Sequence, residues 1–187
     1  VLRPKSEGGR LHHRGQVEVI SSLERDGRPV FRDLRWGVYV TFAADSEYVR
    51  DCFQQYGLVT DASGNTTAMY KPFHLIGLEL GISVASVALR GEPTGAPMAW
   101  LGDCVATAKR ELKAGEMLDG EGGFTVFGKL MPAAVSKRLG GLPIGLAHKV
   151  KLKRDIAANK PVTWDDVEMD LKSEVVQVRR AMEKSFA

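Results

Sequence analysis

Cysteine is scarce in this sequence. The 187 residues contain two cysteines, Cys52 and Cys104, which lie far apart and form no CxxC pair. That usage fits neither a zinc site nor a disulfide-dense secreted scaffold. It predicts reduced thiols and therefore a cytoplasmic protein. Because no histidine or cationic cluster adjoins Cys52 in the sequence, we interpret it as a small packed residue rather than a reactive thiol.

Long apolar runs are also missing. The longest, Leu75 to Leu89, is interrupted by Glu79, Ser83 and Ser86, and a membrane span needs roughly 18 uninterrupted apolar residues. The run therefore predicts a buried helix and no membrane partner. The amino end has neither the apolar segment of a signal peptide nor an initiator methionine. We expect the sequence to be a piece of a longer polypeptide.

No block of five like charges occurs. Lys and Arg total 26 against 23 Asp and Glu, which argues against a dedicated nucleic-acid surface. Hydrophobic residues make up 44% and charged residues 26%, close to globular averages, so a disordered or fibrous chain is excluded. At about 150 residues per domain, the length predicts one large domain or two small ones.

The first part of the chain predicts a sheet followed by a helix. Val17 and Val19 alternate with polar neighbours, which predicts a strand with both valines facing inward. Asp26-Gly27 suits a tight turn, and the returning arm is expected at 30–34 and again at 36–42. Beyond Asp45 or Ser46 as a cap, apolar residues recur at helical spacing. These residues are Val49, Cys52, Phe53 and Tyr56, with Gly57 placed to end the helix.

A second helix is predicted after Pro72, which suits a first turn because proline lacks an N–H that would be unpaired there. Gly77, Gly81 and Ala85 recur every fourth residue and leave one side nearly bare, so another backbone or a ligand can approach. A separate polar stripe is formed by Glu79, Ser83, Ser86 and Arg90. Gly91 ends this helix, and a Pro- and Gly-containing linker follows.

An internal repeat appears in the second half. The segment AKRELKAGEML at 108–118 matches LKRDIAANKPV at 152–162. Gly115 and Asn159 occupy the same place, and both residue types tolerate a left-handed turn. Each copy is therefore predicted to be a strand, a tight turn and a return. Because such short hooks cannot bury a core alone, we expect them to pack together as one β unit.

These segments resemble known families. VATAKRELKAGEML together with HKVKLKRDIAANKPVTWDDVE, between Val105 and about Glu168, is similar to SAF domains, which are β-clip modules. SSLERDGRPVFRDLRWGVYV, YKPFHLIGLELGISVASVALRGEPTGAP and FGKLMPA resemble homoserine-dehydrogenase-like oxidoreductases, in particular the deoxyxylulose-phosphate reductoisomerase-like (DRL-like) enzymes. The resemblance implies an α+β fold: a partial sheet-and-helix catalytic domain at 1–101, an all-β SAF domain at 102–170 and a helical tail at 171–187. It also implies NAD(P)H as the cofactor of the complete enzyme.

The glycine fingerprint of dinucleotide-binding domains is absent. Such domains hold pyrophosphate at a G-x-G-x-x-G turn between a strand and a helix. The nearest candidate, Gly120-Glu121-Gly122-Gly123, precedes the strand-like FTVFGK, so we interpret it as a plain turn. We therefore expect no cofactor to bind this chain alone and the nucleotide-binding domain to lie elsewhere.

Candidate site residues cluster before the second predicted helix, whose amino end favours an anionic or polyhydroxylated substrate. Lys71 and His74 are the predicted catalytic residues, because a lysine with a nearby histidine could polarise a carbonyl and pass a proton. Tyr70, Glu79 and Lys129 are predicted to bind substrate, and no residues are assigned to a metal or cofactor. The alternative is that these candidates are ordinary surface and helix-cap residues and that Glu79 is held in a salt bridge.

Three classes of function remain open at this stage. The first is the substrate-binding half of an NAD(P)-dependent oxidoreductase that acts on a carbonyl or hydroxyl of a small polar metabolite, phosphorylated or polyhydroxylated. It would be active only when joined to a nucleotide-binding domain. The second is a non-catalytic SAF module that binds a sugar-like ligand, and the third is a structural role in dimerisation. A homo-oligomer is expected in all three cases.

Overall fold

The computed structural model describes residues 7, 11, 14–20, 22–24, 26–73 and 75–186. The chain divides into two compact units, Val1–Pro97 and Met98–Ala187. Helices alternate with small antiparallel sheets, which confirms the α+β class. The α-helices are α1 (Glu47–Gln55), α2 (Ile76–Ala85), α3 (Ala133–Leu139) and α4 (Glu174–Ser185). The strands are β1 (Val17–Val19), β2 (Val38–Ala43), β3 (Thr66–Lys71), β4 (Gly102–Ala108), β5 (Met117–Asp119), β6 (Val126–Pro132), β7 (His148–Leu152) and β8 (Val167–Glu168).

The first unit is built on an antiparallel sheet in the order β1-β2-β3. The strand at 17–19 is confirmed, but the inward orientation of its valines is wrong. Because Glu18 pairs with the buried Tyr39, Glu18 shares the inner face while Val17 and Val19 lie on the exposed one. The pattern correctly indicated alternation, but alternation alone does not say which face is covered.

The turn at Asp26-Gly27 is confirmed by a bridge between Leu23 and Pro29 and by the positive φ of Gly27, 86°. The returning arm is only half right, since residues 30–34 form no strand. The amide of Val30 does donate to the Ser22 carbonyl (3.1 Å). Among the described residues, β1 pairs with β2.

Helix α1 begins where the sequence predicts. The Ser46 hydroxyl accepts a hydrogen bond from the amide of Val49 (3.3 Å), which satisfies one of the otherwise unpaired donors of the first turn. Phe53 is buried and meets Phe42 edge to face, with ring centroids 5.7 Å apart. Tyr56 was expected on the packed face, but it is exposed because the helix ends at Gln55. Cys52 is a free, half-buried thiol.

Helix α2 forms and continues as one π-helical turn, Ser86–Arg90, which ends at Gly91 with φ 67°. The prediction that this helix is buried is wrong, since every large apolar side chain from Leu75 to Leu89 is exposed. Apolar composition predicts burial only when a covering surface is present, and the described part of the first unit does not supply one.

The second unit contains the hydrophobic core cluster of the described chain. Strand β4 pairs with β6, and β5-β7-β8 form a second antiparallel sheet. The cluster consists of Ala106, Ala108, Leu112, Leu118, Val126, Leu142, Ala147, Leu152, Ile156, Val162, Trp164, Val167 and Val176. Its last member belongs to α4, so this helix packs onto the same core. The expectation of an all-β region at 102–170 is wrong in one respect, because α3 follows β6 directly.

The two copies of the repeat are joined by reciprocal hydrogen bonds. The amide of Leu112 donates to the carbonyl of Ile156 (2.8 Å), and the amide of Ile156 returns a bond to Leu112 (2.9 Å). The amide of Gly115 donates to Leu152, and the matching Asn159 donates to Ala108, both at 2.8 Å. Gly115 and Asn159 have φ of 84° and 63°. The predicted pair of packed hooks is therefore confirmed, with a pseudo-twofold relation between them.

Candidate functional site

Two of the predicted site residues, Lys71 and Glu79, meet where β3 ends and α2 begins. Lys71 is the last residue of β3, and its ammonium donates a hydrogen bond to Oε1 of Glu79 in the first turn of α2. The same oxygen accepts from the amide of Leu75 (3.1 Å). The Glu79 carboxylate thus occupies the donor-rich end of the helix, where the dipole stabilises negative charge. The result is a lysine held in a fixed place by a capped helix.

Tyr70 of β3 anchors the loop at 35–37, which precedes β2. Its hydroxyl lies 3.0 Å from the carbonyl oxygen of Arg35 and 3.1 Å from that of Trp36, and it donates to this pair. Gly37 has φ 85°, and a Cβ added there would come 2.2 Å from the Lys71 carbonyl oxygen. Only glycine allows this approach. The loop is therefore pressed against the backbone that bears Lys71.

The Lys71–Glu79 pair is open to solvent. The Lys71 side chain is 53% exposed and that of its partner Glu79 is 30% exposed. The guanidinium of Arg35 lies over the Trp36 ring, 5.5 Å from its centroid, a favourable cation–π arrangement. An accessible ammonium can donate hydrogen bonds to a carbonyl or phosphate oxygen. The geometry therefore suits the binding of a small polar or anionic molecule.

The structure does not bring all of the predicted site residues together. Lys71 and Glu79 form an ion pair, Tyr70 is the strand neighbour of Lys71 and bonds to the loop at 35–36, and His74 lies outside the described residues. Lys129 belongs to the second unit, where it is exposed on β6 opposite Val105. The roles of these five residues stay predictions. The sequence reading missed the loop of Arg35, Trp36 and Gly37. A tryptophan-glycine pair directly before a strand was the available signal.

The glycine-rich turn at 120–123 does not fit a pyrophosphate group. The Asp119 carboxylate accepts hydrogen bonds from the amides of Phe124 and Thr125 and from the Thr125 hydroxyl. A Cβ on Gly123 would come 2.1 Å from the Asp119 Cγ. The two amides that follow the turn are therefore bound to the Asp119 carboxylate, whose negative charge disfavours a phosphate at this place. The turn leads into β6 rather than a helix, as the sequence predicts.

The described residues contain no group of three or more His, Cys, Asp or Glu side chains arranged to hold a metal ion. No helix within the ranges given above has the length and apolar character needed to cross a membrane.

Comparison with known proteins matches the first part of the chain to an oxidoreductase family. Residues 1–80 match the family model described as oxidoreductase DRL, catalytic domain. This range includes β1 to β3, Tyr70 and the Lys71–Glu79 pair. No curated protein matches the chain. The match supports the DRL-like oxidoreductase part of the resemblance drawn from the sequence.

Proposed function

We propose that this chain is the substrate-binding and catalytic half of an NAD(P)-dependent oxidoreductase. Its substrate would be a small polar metabolite, phosphorylated or polyhydroxylated, that reacts at a carbonyl or hydroxyl group. The observation that supports this most directly is the position of the Lys71–Glu79 pair inside the segment that matches an oxidoreductase catalytic domain. An oxidoreductase family is compatible with NAD(P)H use in the complete enzyme. Because the glycine-rich turn at 120–123 leads into a strand rather than a helix, we propose that the dinucleotide binds to a part outside these 187 residues.

Lys71 is proposed to act on the substrate oxygen. Its ammonium would donate a hydrogen bond to the carbonyl, stabilise negative charge on that oxygen and give it a proton. Glu79 would orient the ammonium and bind a substrate hydroxyl, while Tyr70 would hold the Arg35–Trp36 loop beside the substrate. His74 remains the second proposed catalytic residue, and Lys129 remains a proposed substrate ligand.

A second proposal concerns residues 102–170, with 171–187 as a helical tail. We propose that they form a SAF-like β-clip that binds a sugar-like ligand or supports a homo-oligomer. The reciprocal bonds between the Leu112 and Ile156 hooks favour this reading, because a β-clip is a hairpin folded on itself with such pseudo-symmetry. If this unit alone bound the ligand, the whole chain would be a binding module rather than an enzyme.

The test is to measure the binding of dihydroxyacetone phosphate to this chain by calorimetry and by NMR titration. Dihydroxyacetone is the unphosphorylated comparison. We expect Lys71→Met to weaken binding of the phosphorylated probe at least tenfold and Lys71→Arg to retain part of it. Lys172→Met, at an exposed lysine in the second unit, is the matched control. Equal binding by wild type and Lys71→Met would contradict the proposal. Shifts confined to the second unit would favour the binding module.

A further inference from the structure

Trp36 has a backbone conformation that a tryptophan side chain opposes. Its φ is 62°, and Gly37 follows with φ 85°, so two successive residues lie in the left-handed region. Glycine adopts this region freely, whereas a residue with a bulky side chain is strained there. Packing does not offset the strain, because Trp36 is 61% exposed. Neither backbone preference nor burial therefore accounts for an indole at this position.

Neighbouring groups hold the strained backbone in place. The Tyr70 hydroxyl lies 3.0 Å from the carbonyl oxygen of Arg35 and 3.1 Å from that of Trp36. The next residue, Gly37, touches the backbone of Lys71 so closely that no side chain would fit between them. Strain that several independent contacts maintain is found mainly at ligand-binding and active sites. These contacts fix Trp36 one residue from the point where the loop meets Lys71.

A cation lies beside the exposed indole. The guanidinium of Arg35 is 5.5 Å from the centroid of the Trp36 ring, and it forms no ion pair with any described residue. Its charge is therefore available to a ligand, whereas the charge of Lys71 is balanced by Glu79. A guanidinium can donate two parallel hydrogen bonds to a phosphate group. The two adjacent side chains thus offer one apolar face and one uncompensated positive charge.

We propose that Arg35 and Trp36 determine substrate specificity at the Lys71 site, which then accepts phosphate esters of polyhydroxylated compounds. The Trp36 indole packs against the C–H face of the carbon skeleton, which is apolar, while Arg35 binds the phosphate. The Lys71 ammonium is left for the carbonyl or hydroxyl group that reacts. The inference rests on the proposed function and narrows its substrate to compounds that carry both a phosphate and several hydroxyl groups.

Calorimetric titration of the full chain with ribose 5-phosphate tests the proposal, and ribose is the unphosphorylated comparison. We expect Trp36→Asn to raise the Kd of ribose 5-phosphate about tenfold, because the apolar face is lost. Trp36→Phe keeps an aromatic face and should retain most of the affinity. Arg35→Met should remove the preference for ribose 5-phosphate over ribose, because no guanidinium remains to bind the phosphate.

Phe31→Asn is the matched control, because Phe31 is 78% exposed, has the guanidinium of Arg32 over its ring and precedes the anchored part of the loop. It should leave the binding of ribose 5-phosphate unchanged. Thermal unfolding separates a binding role from a structural one. Asparagine accepts the left-handed region more readily than tryptophan does, so Trp36→Asn should melt at least as high as wild type.

A Trp36→Asn variant that melts lower than wild type would make Trp36 a structural residue and would overturn the proposal. Binding of ribose 5-phosphate that survives in Trp36→Asn, or that is absent in wild type, would overturn it as well. Loss of binding in Lys71→Met but not in Trp36→Asn would contradict this inference alone. Unchanged binding in Lys71→Met would instead contradict the proposed function.

Discussion

At the scale of single residues, Asp119 shows how local hydrogen bonds set a charge state. Partial burial acts to raise the pKa of Asp119, but hydrogen bonds from the Thr125 hydroxyl and from the amides of Phe124 and Thr125 outweigh it. Together they lower the pKa from 3.8 to about 2. The ionised form is therefore favoured in the folded state. This carboxylate, rather than a ligand, orders the glycine-rich turn.

This shift predicts an acid sensitivity that Asp119→Asn should reduce. A carboxyl whose pKa is depressed on folding stabilises the protein above its unfolded pKa and loses that contribution as the pH falls toward the folded value. Wild type should therefore lose about 1 kcal/mol between pH 5 and pH 2 from this residue, after allowance for solvent screening. Urea unfolding at a series of pH values measures the loss. Asp165→Asn, at an exposed carboxylate, is the control, and an equal slope in Asp119→Asn and wild type would contradict the prediction.

At the scale of elements, the repeat makes its two turns interchangeable. Gly115 and Asn159 have the same left-handed backbone and the same hydrogen-bond role in their copies. The double variant Gly115→Asn, Asn159→Gly should therefore unfold within a few degrees of wild type. Gly115→Ala and Asn159→Ala should each cost roughly 1 kcal/mol, because alanine resists positive φ. Thermal unfolding followed by circular dichroism measures both effects.

If the exchange destabilised the chain as much as the two alanine variants together, the prediction would be contradicted. The two turns would then need different residue types at this position. The pseudo-twofold relation would then be confined to the backbone.

Helix α4 is held to β4 by a buried ion pair. The Arg179 guanidinium donates two hydrogen bonds to the Asp103 carboxylate, at 3.1 Å and 2.7 Å. Their side chains are 17% and 5% exposed. The Ser136 hydroxyl of α3 donates to the same carboxylate at 2.5 Å. Two helices are thereby fixed to one strand.

Removing one member of this pair should cost more than removing both. Arg179→Met leaves the buried Asp103 carboxylate without its countercharge, with the Ser136 hydroxyl still bound to it, and should cost roughly 3 kcal/mol. The double variant Arg179→Met, Asp103→Leu should recover a large part of that loss, because no unpaired charge remains. A double-mutant cycle by urea unfolding measures the coupling. Additive losses would show that the pair does not act as a unit.

The helices, strands and turns were predicted more reliably than which of their faces are buried. The cap at Ser46, the turn at Gly27 and the hooks at Gly115 and Asn159 follow from local backbone preferences, which a sequence displays directly. The outward valines of β1 and the exposed α2 follow from what covers each face. A short window of sequence does not contain that information. Lys71 and Glu79 were each recognised as candidates, but their pairing depends on a strand end and a helix start meeting in space.

At the scale of the whole molecule, the two units differ in how they bury apolar surface. The core cluster of the second unit extends from Ala106 in β4 to Val176 in α4. The first unit buries Tyr39 and Phe53 but exposes Val19, Met69 and the large side chains of α2. Because burial of apolar area is the main favourable term in folding, most of the stability should reside in the second unit.

The fragment 98–187 should therefore fold by itself. We expect a cooperative thermal transition within a few degrees of the main transition of the full chain, because the boundary at Pro97 leaves the core cluster intact. The fragment 1–97 should bind a hydrophobic dye strongly, since its apolar helix and sheet face are exposed. Calorimetry and dye fluorescence on both fragments measure this. An unfolded 98–187 fragment would mean that its core needs the first unit, and the stability of the chain would then be shared between the two units.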